Sequence, residues 1–265
     1  MLKHIPVGTE ATHCSTCMMG SVCLPVGMPA TEIAKLDDLV KDRIRLEKGQ
    51  ALYQHGEKLD ALFGLRTGSI KTQLDEANGT HQITGFFLPG EIVGLDGMIE
   101  GEHSSTAIAM EDSEVCVVKL QDIDEISRYV PSLQHQVRRL MSREIARSHQ
   151  VLLALGSMRS EQRLAAFLLS LSQRLAALGY SPSEFIMRMS REELGNYLGL
   201  TLETVSRLFS RFAREGVQID TVLMVFPDLQ GRLVGKRTTG RFFLQSVADA
   251  GTENCDYLIA CDMDN

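Results

Sequence analysis

The sequence contains no long apolar run and no recognisable catalytic motif. None of its hydrophobic stretches approaches the roughly 20 residues that a membrane-spanning helix needs. The N-terminus also lacks the basic and then apolar arrangement of a signal peptide. No nucleophile is paired with a base at a known spacing, and the glycines do not form a phosphate-binding motif. We therefore expect a cytoplasmic protein that is neither a membrane protein nor an enzyme.

Length and composition are those of an ordinary soluble protein. The 265 residues are enough for two domains with separate cores, and 44% hydrophobic with 23% charged residues is typical of globular chains. A net charge of −7 weighs against a uniformly basic surface for nucleic acid. The charges are uneven, however, because six arginines and two glutamates lie between positions 138 and 163, whereas carboxylates concentrate between 75 and 124. This distribution predicts an acidic body with a more basic end.

Three of the six cysteines lie close together near the start of the chain. Residues 1–28 show no periodicity and are predicted to be irregular, with Cys14, Cys17 and Cys23 as their anchor. A C-x2-C spacing lets two thiolates bind one metal centre, and thiolates select zinc or iron–sulfur clusters. In an intracellular chain this chemistry is favoured over structural disulfides. The candidates for a fourth ligand are Cys116, His13 and His4.

The stretch from about 50 to 119 has the pattern of a small β-barrel. A short helix is predicted from Thr31, with Ile33, Leu36, Leu39 and Val40 at helical spacing. Short strand-like runs separated by glycines then follow at 51–53, 62–66, 69–74, 81–88, 91–95 and 113–119. Asn78-Gly79 between two of these runs predicts a tight hairpin. The pattern indicates a jelly roll, in which a lone strand cysteine such as Cys116 is more often a core residue than a ligand.

A long helix is predicted from about 133 to 155, after Pro131. Its apolar residues recur at nearly heptad spacing, which is typical of a helix that pairs with its twin across a two-fold axis. The predicted dimer positions are Val137, Leu140, Met141, Ile145, Ser148, Val151, Leu152 and Leu155. The middle of this row is polar, so dimerisation is expected to be marginal, and a small bias would shift the population. An intradomain helix is the alternative.

Two short helices joined by a tight turn are predicted after an amphipathic helix at 160–178. Ser190 is a suitable N-cap and Glu193 completes a capping box. Gly199 supplies the positive φ that ends the first helix, and Thr201 caps the second. The predicted buried face of the second helix is Leu202, Val205, Leu208, Phe209 and Phe212. This arrangement predicts a helix-turn-helix.

The opposite face of the second helix carries side chains that can read DNA bases. Glu203, Ser206, Arg207, Ser210 and Arg211 lie there. Arg pairs with guanine O6 and N7, Glu accepts from cytosine N4, and Ser contacts a base edge or a phosphate. A helical hairpin with a solvated polar face is the alternative. After 214–216 a short β wing is expected, with 217–226 forming one strand, and no structure is predicted for 228–265.

The order of these segments resembles the CRP/FNR superfamily of bacterial transcription regulators, and within it the FNR branch. The most specific residues are Cys14, Cys17, Cys23 and Cys116, and the blocks 83–86, 140–145 and 195–207 are also similar. The resemblance implies an α+β fold with an N-terminal β-roll of the cyclic-nucleotide-binding type, a long dimerisation helix and a C-terminal winged helix-turn-helix. The predicted segments are 1–28 (cysteine-rich), 29–130 (β-roll), 131–158 (dimerisation helix), 159–226 (DNA-binding) and 227–265 (atypical tail).

The resemblance also implies a cofactor and partners. The four cysteines would bind a [4Fe–4S] cluster that supports a DNA-binding homodimer without oxygen, and oxygen would convert it to a [2Fe–2S] form that favours the monomer. Glu203, Ser206 and Arg207, with Thr201 and Arg211 beside them, would read a TTGAT-type half-site in an inverted repeat of double-stranded DNA. The hairpin at 75–80 falls where the family presents a surface to RNA polymerase.

Two alternatives use other ligands. A regulator of the same fold that responds to cyclic nucleotides needs an arginine for the phosphate, but 94–106 offers only His103, Ser104 and Ser105. A structural zinc site in a protein-interaction module is the second alternative.

The chain also departs from the family, because well-known members carry an acidic residue where Ser148 aligns. A neutral Ser148 predicts that the protein without a cofactor dimerises more readily.

Overall fold

Sheets form the N-terminal half of the fold and helices form most of the C-terminal half. The computed structural model describes residues 3–6, 13–37, 39–76, 79–98, 100–214, 221–227 and 233–239. The strands within these ranges are β1 Lys3–Pro6, β2 Val40–Leu46, β3 Ala51–Tyr53, β4 Ala61–Thr67, β5 Ile70–Asp75, β6 His81–Phe87, β7 Ile92–Val93, β8 Thr106–Ala109, β9 Ser113–Lys119, β10 Thr221–Pro227 and β11 Leu233–Thr239. The α-helices are α1 Ala30–Ile33, α2 Leu120–Ser127, α3 Pro131–Ser157, α4 Ser160–Ala177, α5 Arg191–Leu198 and α6 Leu202–Arg214. No described helix is long and apolar enough to cross a membrane.

Two antiparallel sheets form the predicted roll. One has the strand order β1-β2-β9-β4-β7, and the other has the order β3-β8-β5-β6. Alternate side chains of both sheets point inward, and Leu65, Ile70 and Val115 are almost completely buried between them. The predicted hairpin is confirmed by the pairing of β5 with β6, in which Asp75 lies opposite His81. Asn78 lies outside the described residues.

Several short elements differ from the sequence prediction. The predicted helix at Thr31 is α1 followed by a 3-10 turn, but Val40 already belongs to β2, so its assignment to the helix was wrong. Three successive charged residues at 41–43 and a register shift between Val40 and Asp42 interrupt the alternating pattern of β2. β8 and α2 were not predicted. β1, which pairs with β2, lies in a segment predicted to be irregular.

The long helix α3 confirms the predicted helix and has two different halves. Pro131 stands at its first position, where its missing N–H costs nothing. In the first half, Leu133, Gln136 and Leu140 are buried against the roll. The second half exposes large apolar side chains, with Ile145 57% and Leu152 66% exposed. The N-terminal half of α3 therefore packs against its own chain, whereas the C-terminal half presents an apolar face.

The helix-turn-helix has the predicted boundaries. The Ser190 hydroxyl accepts from the Glu193 N–H (3.1 Å), the Glu193 carboxylate accepts from the Ser190 N–H (2.8 Å), and Gly199 has a φ of +63°. Thr201 accepts from the N–H of Thr204 (3.2 Å) and caps α6. The buried residues of this unit share a core with one edge of the roll: Ile83, Phe86, Leu88, Leu164, Leu194, Leu198, Val205 and Leu208.

The prediction that Leu202 belongs to the buried face of α6 is wrong. Leu202 is 46% exposed, whereas Val205 and Leu208 are buried as predicted and Phe209 and Phe212 are half-buried. Leu202 occupies the first position of α6, where its side chain is left uncovered by the described neighbours.

The segment after α6 contains a hairpin instead of the predicted single strand. β10 pairs with β11 in antiparallel register, with Thr221 opposite Thr239 and Pro227 opposite Leu233. The second strand lies in the stretch 228–265, for which the sequence predicted no structure. Residues 215–220, where the wing was expected to begin, and Cys255 and Cys261 lie outside the described residues.

Candidate metal centre and nucleic-acid interface

Two consecutive 3-10 turns carry the first three cysteines. The turns are Cys14–Thr16 and Met18–Ser21, and Cys17 lies between them in an extended conformation. The N–H of Gly20 donates to the Cys17 carbonyl (2.9 Å), and the N–H of Cys23 donates to the Met19 carbonyl (2.8 Å). Three half-buried thiols are therefore held on one short, internally bonded segment.

This cysteine segment, residues 13–28, is fixed to both the roll and α3. The Ser15 N–H and hydroxyl donate to the Asp37 carboxylate (2.8 and 2.6 Å). The Gln136 side chain of α3 donates to the Val26 carbonyl (2.7 Å). Val22 lies so close to Gly90 that an added Cβ there would meet the Val22 Cγ2 at 2.4 Å. Movement of the segment would therefore disturb contacts with the roll and with α3.

Cys116 lies on the outer face of the roll. Its place in a strand pattern favoured a position in the core, and that expectation is wrong. On β9 its neighbours Val115 and Val117 are buried in the core, whereas the Cys116 thiol is half-buried. A Cβ added to Gly64, which lies opposite Cys116 on β4, would be 3.7 Å from the Cys23 sulfur and 3.8 Å from the Cys116 Cβ. The missing side chain of Gly64 therefore leaves a space where two cysteines from distant parts of the chain converge.

The cysteines influence one another electrostatically. Burial raises the pKa of the Cys14 thiol to about 12, and the charges of the other three cysteines and of Asp37 act in the same direction. Burial also raises the pKa of Cys23 to about 12. The pKa of Cys116 is raised by burial too, although the Arg43 guanidinium opposes this effect. These raised pKa values keep the free thiols of Cys14, Cys23 and Cys116 neutral at pH 7, so binding of a metal centre must displace their protons.

Of the two histidines considered as fourth ligands, only the side chain of His13 is described. The His13 side chain is exposed, and the side chain of His4 is outside the described part of the structure. In that described part, no group of three or more His, Cys, Asp or Glu side chains is arranged to hold a metal ion. The structure thus brings Cys23 and Cys116 together without forming a compact site for a single ion.

A buried ion-pair cluster lies behind the cysteine segment, and no sequence pattern predicted it. Glu91 follows Gly90 and accepts from Arg147 of α3 (3.0 Å) and Arg174 of α4 (2.6 Å). Burial alone would raise the pKa of Glu91, but the two guanidinium groups outweigh it and hold that pKa below its usual value. Glu91 therefore joins the roll to both the long helix and the first helix of the DNA-binding unit.

The candidate DNA contacts share one face of α6, because they recur at helical spacing. Thr201, Glu203, Arg207 and Arg211 are exposed, whereas Ser206 is half-buried. Ser206 accepts from the Arg191 guanidinium (3.2 Å), and Arg211 forms an ion pair with Glu161 (2.8 Å). Arg207 and Glu203 are therefore the more accessible members of this set.

The first helix of the helix-turn-helix is bonded to the β5–β6 hairpin. The Asn196 side chain accepts from the Ile83 N–H (2.6 Å) and donates to the His81 carbonyl (2.8 Å). Lys71 of β5 forms an ion pair with Glu193 (2.8 Å), the residue of the capping box. These contacts hold the DNA-binding unit against the roll in this structure.

The candidate dimer positions fall into two groups. Leu140 is buried in its own chain, and Val137 packs against the same core, while Val151 and Leu155 are half-buried. The outward row is Met141, Ile145, Ser148 and Leu152, spaced by four, three and four residues. This row is the part of α3 that remains available to a second copy.

A cavity of about 610 Å³ lies between this row and the roll. Its described lining includes Tyr53, Ser104, Ser105 and His149 together with the acidic Asp96 and Glu144, and it contains no Lys or Arg. The buried His103 stacks on Tyr53 with ring centroids 3.5 Å apart and lies 3.2 Å from an Asp96 oxygen. Because a phosphate needs cationic or N–H donors, this lining does not favour a cyclic nucleotide.

Comparison with known proteins gives consistent matches. A cyclic nucleotide-binding domain model matches residues 43–129, and a Crp-like helix-turn-helix domain model matches 162–228. The transcriptional regulatory protein btr of Bordetella pertussis is 62% identical over 242 residues, covering 90% of this chain and 100% of that protein. The fumarate and nitrate reduction regulatory protein of Escherichia coli K12 is 40% identical over 217 residues, covering 82% and 87%. The structure of FixK2 from Bradyrhizobium japonicum has a TM-score of 0.60 and 25% identity, covering 80% and 97%.

Proposed function

Because the chain belongs to the CRP/FNR family of DNA-binding transcription regulators, we propose that it senses oxygen through a [4Fe–4S] cluster held by Cys14, Cys17, Cys23 and Cys116. The protein is a transcription regulator and not an enzyme. The observation that carries the proposal is the convergence of Cys23 and Cys116 at the space left by Gly64. The name of the 40% identical relative, a fumarate and nitrate reduction regulator, supports an anaerobic role.

The donor set matches that of an iron–sulfur cluster, since such clusters are held by four thiolates and the candidate ligands are four free cysteines. Zinc accepts the same four thiolates, so assays of iron, zinc and acid-labile sulfide distinguish the two. When bound, the cluster would supply an oxygen-labile cross-link between the cysteine segment and β9.

The surrounding residues connect that cross-link to dimerisation. Cys14 and Cys23 pack against a hydrophobic cluster that also contains Leu133 and Leu140 of α3. Gln136, between these two residues, donates to the cysteine segment. Fixing the segment therefore fixes the first half of α3 and orients the outward row of Met141, Ile145, Ser148 and Leu152 for a second copy.

A polar position in that row sets how strongly the copies associate. The Ser148 side chain is exposed, and its hydroxyl donates to the Glu144 carbonyl of its own helix (3.0 Å). A neutral Ser148 creates no charge repulsion across a two-fold axis. We therefore expect weak residual dimerisation without the cluster.

The dimer would present two α6 helices to an inverted repeat of the TTGAT type. Arg207 would donate to guanine O6 and N7, and Glu203 would accept from the N4 amino group of the paired cytosine. Ser206 and Arg211 would have to exchange their present partners, Arg191 and Glu161, for DNA. The hairpin at 75–80 is the proposed contact with RNA polymerase.

The proposal is tested by DNA binding under two atmospheres. Protein prepared without oxygen should bind an inverted TTGAT repeat at least about tenfold more tightly than the same sample exposed to air, a difference of about 1.4 kcal/mol. Salt must be held constant, because phosphate contacts depend strongly on it. Equal affinity under both gases would refute oxygen sensing, while loss of specific binding under both would refute the DNA site.

Filling the space at Gly64 should block the cluster while all four thiols remain. A Gly64→Val side chain would extend from a Cβ that is already in contact with Cys23 and Cys116. We expect iron content to fall below half of wild type, measured after anaerobic reconstitution, with an unchanged circular dichroism spectrum. Gly156→Ala is the matched control, because a Cβ there meets nothing within 4 Å. Wild-type iron in Gly64→Val would contradict this placement of the cluster.

Arg207 should determine which base is read. Arg207→Ala removes an exposed guanidinium from α6 and is expected to cost about 1–3 kcal/mol of binding free energy at the preferred site. Discrimination at the G·C pair should weaken in parallel, as measured by competition with half-sites altered at that pair. Arg128→Ala, at an exposed position directly after α2, serves as the control. A uniform loss across all competitors would identify Arg207 as a phosphate contact instead.

A further inference from the structure

The first helix of the helix-turn-helix lies against the edge of a sheet in the roll. β6 is the last strand in the order β3-β8-β5-β6, so among the described strands only β5 pairs with it. Edge strands present unpaired N–H and C=O groups that other groups can bind. The Asn196 side chain of α5 binds two of them, since it accepts from the Ile83 N–H (2.6 Å) and donates to the His81 carbonyl (2.8 Å). Its amide group therefore takes the place of a further strand at this edge.

Two further contacts support this attachment. The Gln82 side chain donates to the Asn196 carbonyl (2.6 Å), and Lys71 of β5 forms an ion pair with Glu193 of α5 (2.8 Å). The Lys71 and Glu193 side chains are 15% and 26% exposed, so solvent screens their attraction less than that of a surface pair. Glu193 and Asn196 are three positions apart and share one face of α5. This face of the helix is thus attached to two neighbouring strands of the roll.

These directional contacts add to an apolar core. Ile83 and Phe86 of β6 are buried in one cluster with Leu194 and Leu198 of α5. Burial of apolar area is non-directional, whereas a hydrogen bond weakens steeply once its donor angle departs far from linear. The core therefore holds the roll and the DNA-binding unit together, and the bonds of Asn196 fix the angle between them.

The orientation of α5 is passed on to α6. Gly195 lies so close to the turn between these helices that an added Cβ would meet the Leu200 carbonyl oxygen at 2.7 Å. The Arg191 guanidinium of α5 donates to the Ser206 hydroxyl of α6 (3.2 Å). The two helices therefore form one rigid unit, and the edge of the roll positions the helix that is proposed to read bases.

We propose that Asn196 is a positioning residue, which together with the Lys71–Glu193 ion pair sets the spacing at which the dimer reads its two half-sites. This inference rests on the proposed function. In the proposed dimer the two rolls are joined through α3, so the distance and angle between the two α6 helices depend on how each DNA-binding unit is attached to its own roll. One additional base pair between the half-sites moves a half-site by about 3.4 Å and turns it by about 35°. An attachment held by directional bonds therefore makes the protein selective for one spacing.

Four proteins test this inference: wild type, Asn196→Ala, Lys71→Gln and Glu192→Gln. Glu192→Gln is the matched control, because Glu192 is exposed on the same helix. Anaerobically prepared proteins are titrated at constant salt with inverted TTGAT repeats whose spacing changes by one base pair at a time. The exchange rate of the Ile83 amide hydrogen is measured without DNA.

The variants should differ in how strongly they prefer one spacing. We expect wild type and Glu192→Gln to bind the best spacing at least about tenfold more tightly than its neighbours. Asn196→Ala should retain less than about threefold of this preference, and Lys71→Gln should be intermediate. The Ile83 amide should exchange at least about tenfold faster in Asn196→Ala, because it loses its acceptor.

An unchanged spacing preference in Asn196→Ala would overturn the inference, whether or not Ile83 exchange changes. A uniform loss of affinity at every spacing, with the preference retained, would overturn it as well. If circular dichroism shows that Asn196→Ala does not fold, a weaker preference in Lys71→Gln supports the inference and an unchanged one overturns it. Wild type that binds none of the repeats would overturn the proposed DNA site and this inference with it, and that result is obtained from wild type alone.

Discussion

Glu91→Gln is expected to lower the free energy of unfolding by about 3 kcal/mol at pH 7, because it removes the carboxylate that two mostly buried guanidinium groups share. The side chains of Glu91, Arg147 and Arg174 are 19%, 18% and 22% exposed. Urea denaturation of the two proteins measures the difference. Glu57→Gln, at an exposed carboxylate, is the control and should change stability little.

The pH dependence of this difference has a definite sign. The pKa of Glu91 is lower in the folded protein, so its contribution is fully present above the pKa of an unfolded glutamate, about 4.3. The contribution is lost as the pH falls through the lower folded value. The stability difference between wild type and Glu91→Gln should therefore be constant from pH 7 to 5.5 and shrink below about pH 4.3. A difference that grows on acidification would contradict the ion-pair assignment.

Cys116→Ser is expected to abolish cluster binding and oxygen-dependent DNA recognition. Cys116 is the only proposed ligand outside the cysteine segment, so its loss would leave that segment without a link to β9. Anaerobic affinity for the inverted repeat should fall to the value of air-exposed wild type, at least about tenfold. Gel-shift titration under both gases measures this change.

Cys255→Ser provides the control for that experiment. Cys255 lies outside the proposed ligand set, so this variant should keep both its iron and its response to air. Anaerobic binding at wild-type strength by Cys116→Ser would show that the cluster is not held by β9. Loss of iron in Cys255→Ser would instead extend the ligand set to the C-terminal cysteines.

Local signals in the sequence were sufficient to predict the helix-turn-helix. The capping box of Ser190 and Glu193 and the positive φ of Gly199 depend on residues a few positions apart. Hydrophobic periodicity was also sufficient for α3 and for the strands with clear apolar alternation. It failed for β2, where three successive charged residues at 41–43 and a register shift between Val40 and Asp42 interrupt the alternation.

The contacts that organise the candidate site depend on long-range pairing instead. Arg43 meets Cys116 only because β2 and β9 are neighbours in the sheet. Glu91 meets Arg147 and Arg174 across 56 and 83 residues of sequence. Nothing near Glu91 in the chain distinguishes it from a surface glutamate, so its role becomes visible only once the roll and the helices are packed together.

Whether the protein holds an oxygen-labile cluster is tested by the visible absorption of anaerobically purified protein, with iron and acid-labile sulfide assayed before and after air is admitted. We expect broad visible absorption that bleaches in air, with about four iron and four sulfide per chain. A colourless protein that contains one zinc per chain and no sulfide would contradict it.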